Sequence, residues 1–219
     1  MRTSIKPIVK NLLLKRDYAE IIRLCQTDKG YWHTLRLFLY ETDENVRWPA
    51  IETIVLVMDK WWRDGSKERV REYIRRQLWL LNEESGSMGW SVPEVTAETI
   101  IHIPELLEPY GIIMVTHALH GKALLNGSLW AIGRLGKQIR EAVVFSQDEI
   151  LATFNTNNPN TLGLAAWAMG EVCFTPALSY IEIHKDRKEI VQIYIASDFQ
   201  EKSLGMWSRE AIDKIVHEG

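Results

Sequence analysis

The chain has 219 residues, 46% of them hydrophobic and 25% charged, a balance that fits one or two folded domains rather than a disordered segment. Its formal net charge of -3 and isoelectric point near 6.1 argue against general affinity for nucleic acid. No stretch reaches about 18 uninterrupted apolar residues, so no membrane span is expected.

Taken in chain order, the apolar spacing is helical nearly everywhere. Ile5, Ile8, Val9, Leu12 and Leu13 form one stripe, and Tyr18, Ile21, Ile22 and Cys25 form the next after a break at Lys15-Arg16-Asp17. Residues 31 to 41 carry Leu35, Leu37, Phe38 and Leu39. Asp43-Glu44-Asn45 then offers acids and an amide to the free N–H groups of a helix running from 46 to Trp61-Trp62. Asp64-Gly65-Ser66 breaks that helix, and another runs from Lys67 to about Asn82. A Gly/Ser turn follows over 83 to 89, and Pro93 suits the first turn of the next helix. Pro104 ends that helix and opens another. Ser146-Gln147-Asp148-Glu149 reads as a capping box, 155 to 160 as a polar loop, and Pro176 as a separator. The stretch IEIHKDRKEIVQIYI over 181 to 195 alternates β-branched residues and admits a hairpin. The repeat pattern described next predicts helix there instead.

A motif recurs along the chain. Trp130-Ala131-Ile132-Gly133 aligns with Trp167-Ala168-Met169-Gly170, and weaker copies begin at Val46, Met88 and Leu204. The starts at Val46, Met88, Leu125, Leu162 and Leu204 are spaced 42, 37, 37 and 42 residues apart. A helical period near 40 predicts a solenoid of helix pairs. The expected fold class is therefore all-α, a single array over 1–219 of about five to six repeats, with capping helices over 1–30 and repeats to about 217. Ala131, Gly133, Ala165, Ala168 and Gly170 would let neighbouring helices approach closely. Glycine inside a helix costs about 1 kcal/mol relative to alanine, so its repetition points to packing. No glycine-rich phosphate cradle is present.

These residues resemble HEAT-like repeats, including those of phycobilisome lyases. Ala165-Ala166-Trp167-Ala168-Met169-Gly170 matches that family's second helix well, Trp130 to Gly133 matches in part, and Val46-Arg47 with Ala50 looks like its Val-Arg helix start. The turn Asn82-Glu83-Glu84-Ser85-Gly86 is similar to one in small bacterial HEAT-like proteins. The resemblance covers about 30 to 219 and is strongest at 125 to 173. It implies a right-handed α-α superhelix with the second helices on the concave side, and it implies no particular activity.

Four features could carry chemistry. Glu94, Glu98 and His102 follow Pro93 at i, i+4 and i+8, so they are expected on one exposed helix face beside Glu83 and Glu84 in the preceding turn. Carboxylates with an imidazole could bind a cation there, although a solvated polar face satisfies the same spacing. His117 and His120 are spaced for one metal but lack a local third ligand. Trp48, Trp90, Trp130, Trp167 and Trp207 fall near the starts of second helices, where they fill the core or stack a partner. The run Lys67, Arg69, Arg71, Arg75 and Arg76 alternates with Glu68 and Glu72 and reads as a solvated outer face. Cys25 and Cys173 have no nucleophile context and no metal-type spacing, and no 7–15-residue apolar leader precedes them, which makes a reducing cytoplasm the expected setting.

The sequence reading is a non-enzymatic scaffold that binds a protein or peptide in the concave groove. The expected contacts are Glu83, Glu84, Trp90, Glu94, Glu98, His102, Trp130, Arg134, Trp167 and Glu171. No cofactor, no resident metal and no membrane are expected. One alternative is a metal-dependent enzyme on the Glu94/Glu98/His102 face. The other is a nucleic-acid-processing protein like the HEAT-like DNA glycosylases, which Trp61-Trp62-Arg63-Asp64 superficially resembles. HEAT-like di-iron hydroxylases carry repeated His-Glu dipeptides, and this chain has one, at His217-Glu218.

Overall fold

The computed structural model describes residues 5–80, 91–119 and 123–218, without the side chains of His117 and Ala118. The described chain is mostly helical, with one small two-stranded sheet, and it divides into two compact units, Met1–Ile103 and Pro104–Gly219. No described helix is long and apolar enough to cross a membrane.

The first unit holds α1 (Ile5–Leu14), α2 (Tyr18–Thr27), α3 (Lys29–Leu37), α4 (Glu44–Arg63), α5 (Lys67–Trp79) and α6 (Val92–His102). Short acidic caps set the starts. Asp17, Asp28 and Asp43 each accept a backbone N–H from the first turn of the helix that follows. The helix α4 is the centre of this unit. Ile51, Ile54, Val55, Met58 and Trp61 are buried around its circumference, and α1, α2, α3, α5 and α6 all pack against it.

The second unit holds α7 (Leu107–Ala118), α8 (Leu125–Leu135), α9 (Arg140–Phe145), α10 (Gln147–Ala152), α11 (Pro159–Val172), α12 (Leu178–Glu182), the strands β1 (Ile190–Ile195) and β2 (Asp198–Ser203), and α13 (Leu204–Glu218). Here α11 is central, buried from Thr161 to Gly170 and flanked by α8 and α13. Close approach depends on two glycines at equivalent places in the repeated motif. A Cβ at Gly133 would stand 2.5 Å from the Trp167 ring, and one at Gly170 would stand 2.7 Å from the Cα of Ala211.

Two local expectations fail. Residues 190 to 203 form an antiparallel hairpin rather than a helix, with Ile195 paired to Asp198 across the two-residue turn Ala196-Ser197. The alternating pattern wins because Val191, Ile193 and Tyr194 are buried, and Val191 meets the close approach at Gly163 on α11. Indole N–H groups anchor the strand further: Trp130 donates to the Tyr194 carbonyl at 2.6 Å and Trp207 to the Val191 carbonyl at 3.1 Å. The other failure is the capping box. Ser146 is the N-cap residue of α10, but its side chain makes no capping bond. It is buried, with φ -102° and ψ 29° rather than the extended backbone that aims a capping oxygen at the first turn.

Candidate functional site

Glu83, Glu84, Trp90 and His120, with the 83 to 89 turn, lie outside the described residues, as does the side chain of His117. The remaining predicted site residues fall into two groups, one in each unit.

In the first unit, α6 begins at Val92-Pro93 as its proline predicts. The Glu94/Glu98/His102 line is not one exposed face. Glu94 is only 4% exposed, Glu98 is half-buried and His102 is exposed. Eight residues at 3.6 per turn rotate the line by about 80°, enough to carry it from core to solvent. Glu94 faces α4, where Arg47 Nη1 reaches Glu94 Oε1 and the Ser91 hydroxyl at 3.4 Å each. The same guanidinium is held more closely by Glu44, at 2.7 Å. Ser91 in turn donates to the Leu39 carbonyl at 3.0 Å. Glu94 Oε2 is buried and has no hydrogen-bond partner. Burial therefore raises the Glu94 carboxyl above its ordinary range, with Arg47 opposing and Glu44 reinforcing the shift. Among the described residues, no three His, Cys, Asp or Glu side chains lie close enough together to hold a metal ion.

In the second unit, Trp130 and Trp167 are core groups rather than surface contacts, 4% and 7% exposed. Gly133 leaves the space that the Trp167 ring occupies. The charges beyond the glycines are more accessible. Arg134 and Glu171 are half-buried, and Glu171 receives Lys214 of α13 at 2.6 Å.

A third cluster, on α3, α4 and α5, combines groups that are remote in sequence. Trp32 meets Trp61 edge-on at 4.6 Å between ring centroids and Tyr73 at 5.3 Å. The Arg69 guanidinium lies 3.4 Å over the Trp61 ring and Arg36 lies 5.6 Å from the Trp32 ring. With Arg76 these groups line a cavity of about 340 Å³. Arg69 is exposed, as expected of a solvated face on α5, while also covering the Trp61 ring, and Arg71, Arg75 and Arg76 pair with Glu68 and Glu72 as that reading expects. Beneath Arg69, the Cys25 thiol is buried and pushed up to about 12, so it keeps its proton and is no nucleophile. Periodicity could not have found this cluster. The one available signal was the unusual Trp and Arg content of three neighbouring helices.

Neither a scan against protein-family models nor a search of curated proteins finds a match for this chain.

Proposed function

We propose that the protein is a non-enzymatic scaffold of HEAT-like helix pairs, wound as a right-handed α-α superhelix, that binds a protein or peptide in the cytoplasm. One observation carries this reading. A glycine at the same place in the motif admits a neighbouring helix twice, 37 residues apart, Gly133 of α8 receiving the Trp167 ring and Gly170 of α11 receiving the backbone at Ala211. Arrays built by repetition present extended surfaces along their stacked helices. On these three helices, Arg134 and the Glu171–Lys214 pair supply charged groups of the kind found at the polar rim of a protein interface.

Photo-crosslinking from positions 134 and 206 tests this reading, since Arg134 is half-buried and Met206 is exposed on the same helices. The expected result is a discrete polypeptide adduct. The purified partner should then bind the Arg134→Glu variant about 10-fold more weakly, while the melting temperature stays nearly unchanged. An absence of any polypeptide adduct, or an unaltered affinity in the variant, overturns the reading.

A further inference from the structure

The cavity on α3, α4 and α5 is rich in donors and poor in acceptors. Tyr73 is 7% exposed and its hydroxyl has no hydrogen-bond partner, and Arg36 Nε is likewise buried and unpartnered. A buried polar group left unsatisfied is costly, so two at one cavity mark a place where a ligand would complete the bonding. The charges point the same way. Among the described residues neither Arg36 nor Arg69 forms an ion pair, and the polar neighbour of Arg36 is His33, whose Nδ1 lies 3.3 Å from Arg36 Nη2. The one carboxylate in the lining, Glu72, is held by Arg76 at 2.5 Å.

Stacking on indoles holds guanidinium planes in place but satisfies none of their N–H groups. Arg69 therefore offers guanidinium donors over the Trp61 ring, Arg36 offers its unpartnered Nε, and Tyr73 adds a hydroxyl donor. That set matches the several acceptor lone pairs of a phosphate or carboxylate. The walls are the rings of Trp32, Trp61 and Tyr73, which suit a flat or apolar body beside the charge.

We propose that this cavity is a binding site for a small organic oxyanion, a phosphate or carboxylate carried on an aromatic or apolar body. The site is independent of the protein-binding surface assigned to the second unit, and its ligand is a small molecule rather than a macromolecule.

Titration calorimetry on the full chain with phenyl phosphate, benzoate, inorganic phosphate and benzylamine tests the proposal. Phenyl phosphate or benzoate should bind saturably at one site, and the tighter of the two identifies the source of the oxyanion. Inorganic phosphate should bind about 10-fold more weakly, for want of the ring, and benzylamine should not bind. Tyr73→Phe should weaken binding about 10-fold without lowering the melting temperature, because the hydroxyl it removes has no partner in the free protein. Arg69→Lys should weaken binding similarly by losing the planar fork while keeping the charge. Arg140→Ala, in the other unit, should leave binding unchanged. A lack of saturable binding by phenyl phosphate and benzoate up to about 10 mM, in protein with a native circular dichroism spectrum, overturns the proposal. So does equal affinity for benzylamine, or affinity unaltered in both cavity variants.

Discussion

At Glu94 one guanidinium serves two carboxylates and sits nearer the exposed one. Arg47 is 2.7 Å from Glu44 and 3.4 Å from Glu94, and the second Glu94 oxygen has no partner at all. Desolvation therefore outweighs attraction, and the carboxyl is raised above its ordinary value of 4.5. The folded state then holds the proton more tightly than the unfolded chain does. Its stabilising effect is complete below pH 4.5 and is lost as pH rises through the raised folded value. Glu94→Gln mimics the neutral form and leaves Arg47 its Glu44 partner. We expect the variant to exceed the wild type by about 1–2 kcal/mol at neutral pH, as replacement of poorly paired buried ions does. Thermal melts from pH 4 to 8 should show the two curves converging on the acid side. A variant less stable than the wild type at pH 7 would mean that the ionised carboxylate is well satisfied and that Arg47 depends on it.

Between elements, contact geometry decides what sequence rules leave open. Glycine at 170 costs α11 about 1 kcal/mol of helix propensity, so alanine would gain that much on propensity alone. The added Cβ would meet backbone at Ala211, which cannot rotate away. Overpacking of about 1–3 kcal/mol outweighs the gain, and Gly170→Ala should lower stability by about 1–2 kcal/mol in chemical denaturation. A stabilised variant would show that α11 and α13 can separate without loss. The hairpin gives the opposite case. Ala196 and Ser197 turn at φ 53° and 65°, a left-handed pair that favours Asn-Gly and strains other residues. Ala196→Asn should therefore raise stability by about 0.5–1 kcal/mol, read as an upward shift in melting temperature. No shift would mean that Ala196 is already relaxed in the left-handed region. Helix starts at Asp43 and Pro93 were legible because caps and first-turn prolines act within a few residues. The hairpin was misread because a repeat expectation overrode a period of two, although β1 buries an alternating set against α11. Glu94 was legible as a site residue but not its depth, since spacing fixes a helical direction and not what covers it. The Trp32–Arg36–Trp61–Arg69–Tyr73 cluster was illegible because three helices assemble it.

At the scale of the whole molecule, the surplus of three negative charges coexists with a local excess of guanidinium on the first unit. The average and the patch make different predictions for different anions. Along α5 three of the four arginines are neutralised in place, and the fourth, Arg69, lies over the Trp61 ring. Glu68 takes Arg71 and Arg75, and Glu72 takes Arg76. A protein that neutralises 6–10 DNA phosphates loses about 10³–10⁵ in affinity between 50 and 200 mM salt. With those three arginines paired and its net charge negative, this chain should show no such dependence, and duplex DNA should not be retained at about 100 mM salt. A single oxyanion held by Arg36 and Arg69 lies within a Debye length of both, and its affinity should change by less than about 3-fold over the same range. Fluorescence anisotropy with labelled duplex DNA, repeated with and without saturating phenyl phosphate, separates the cases. Steep, salt-dependent DNA binding that phenyl phosphate displaces would assign the cavity to a nucleic-acid backbone. It would also show that the acidic average conceals a phosphate-tracking surface, so that the charge balance excludes less than its sign suggests.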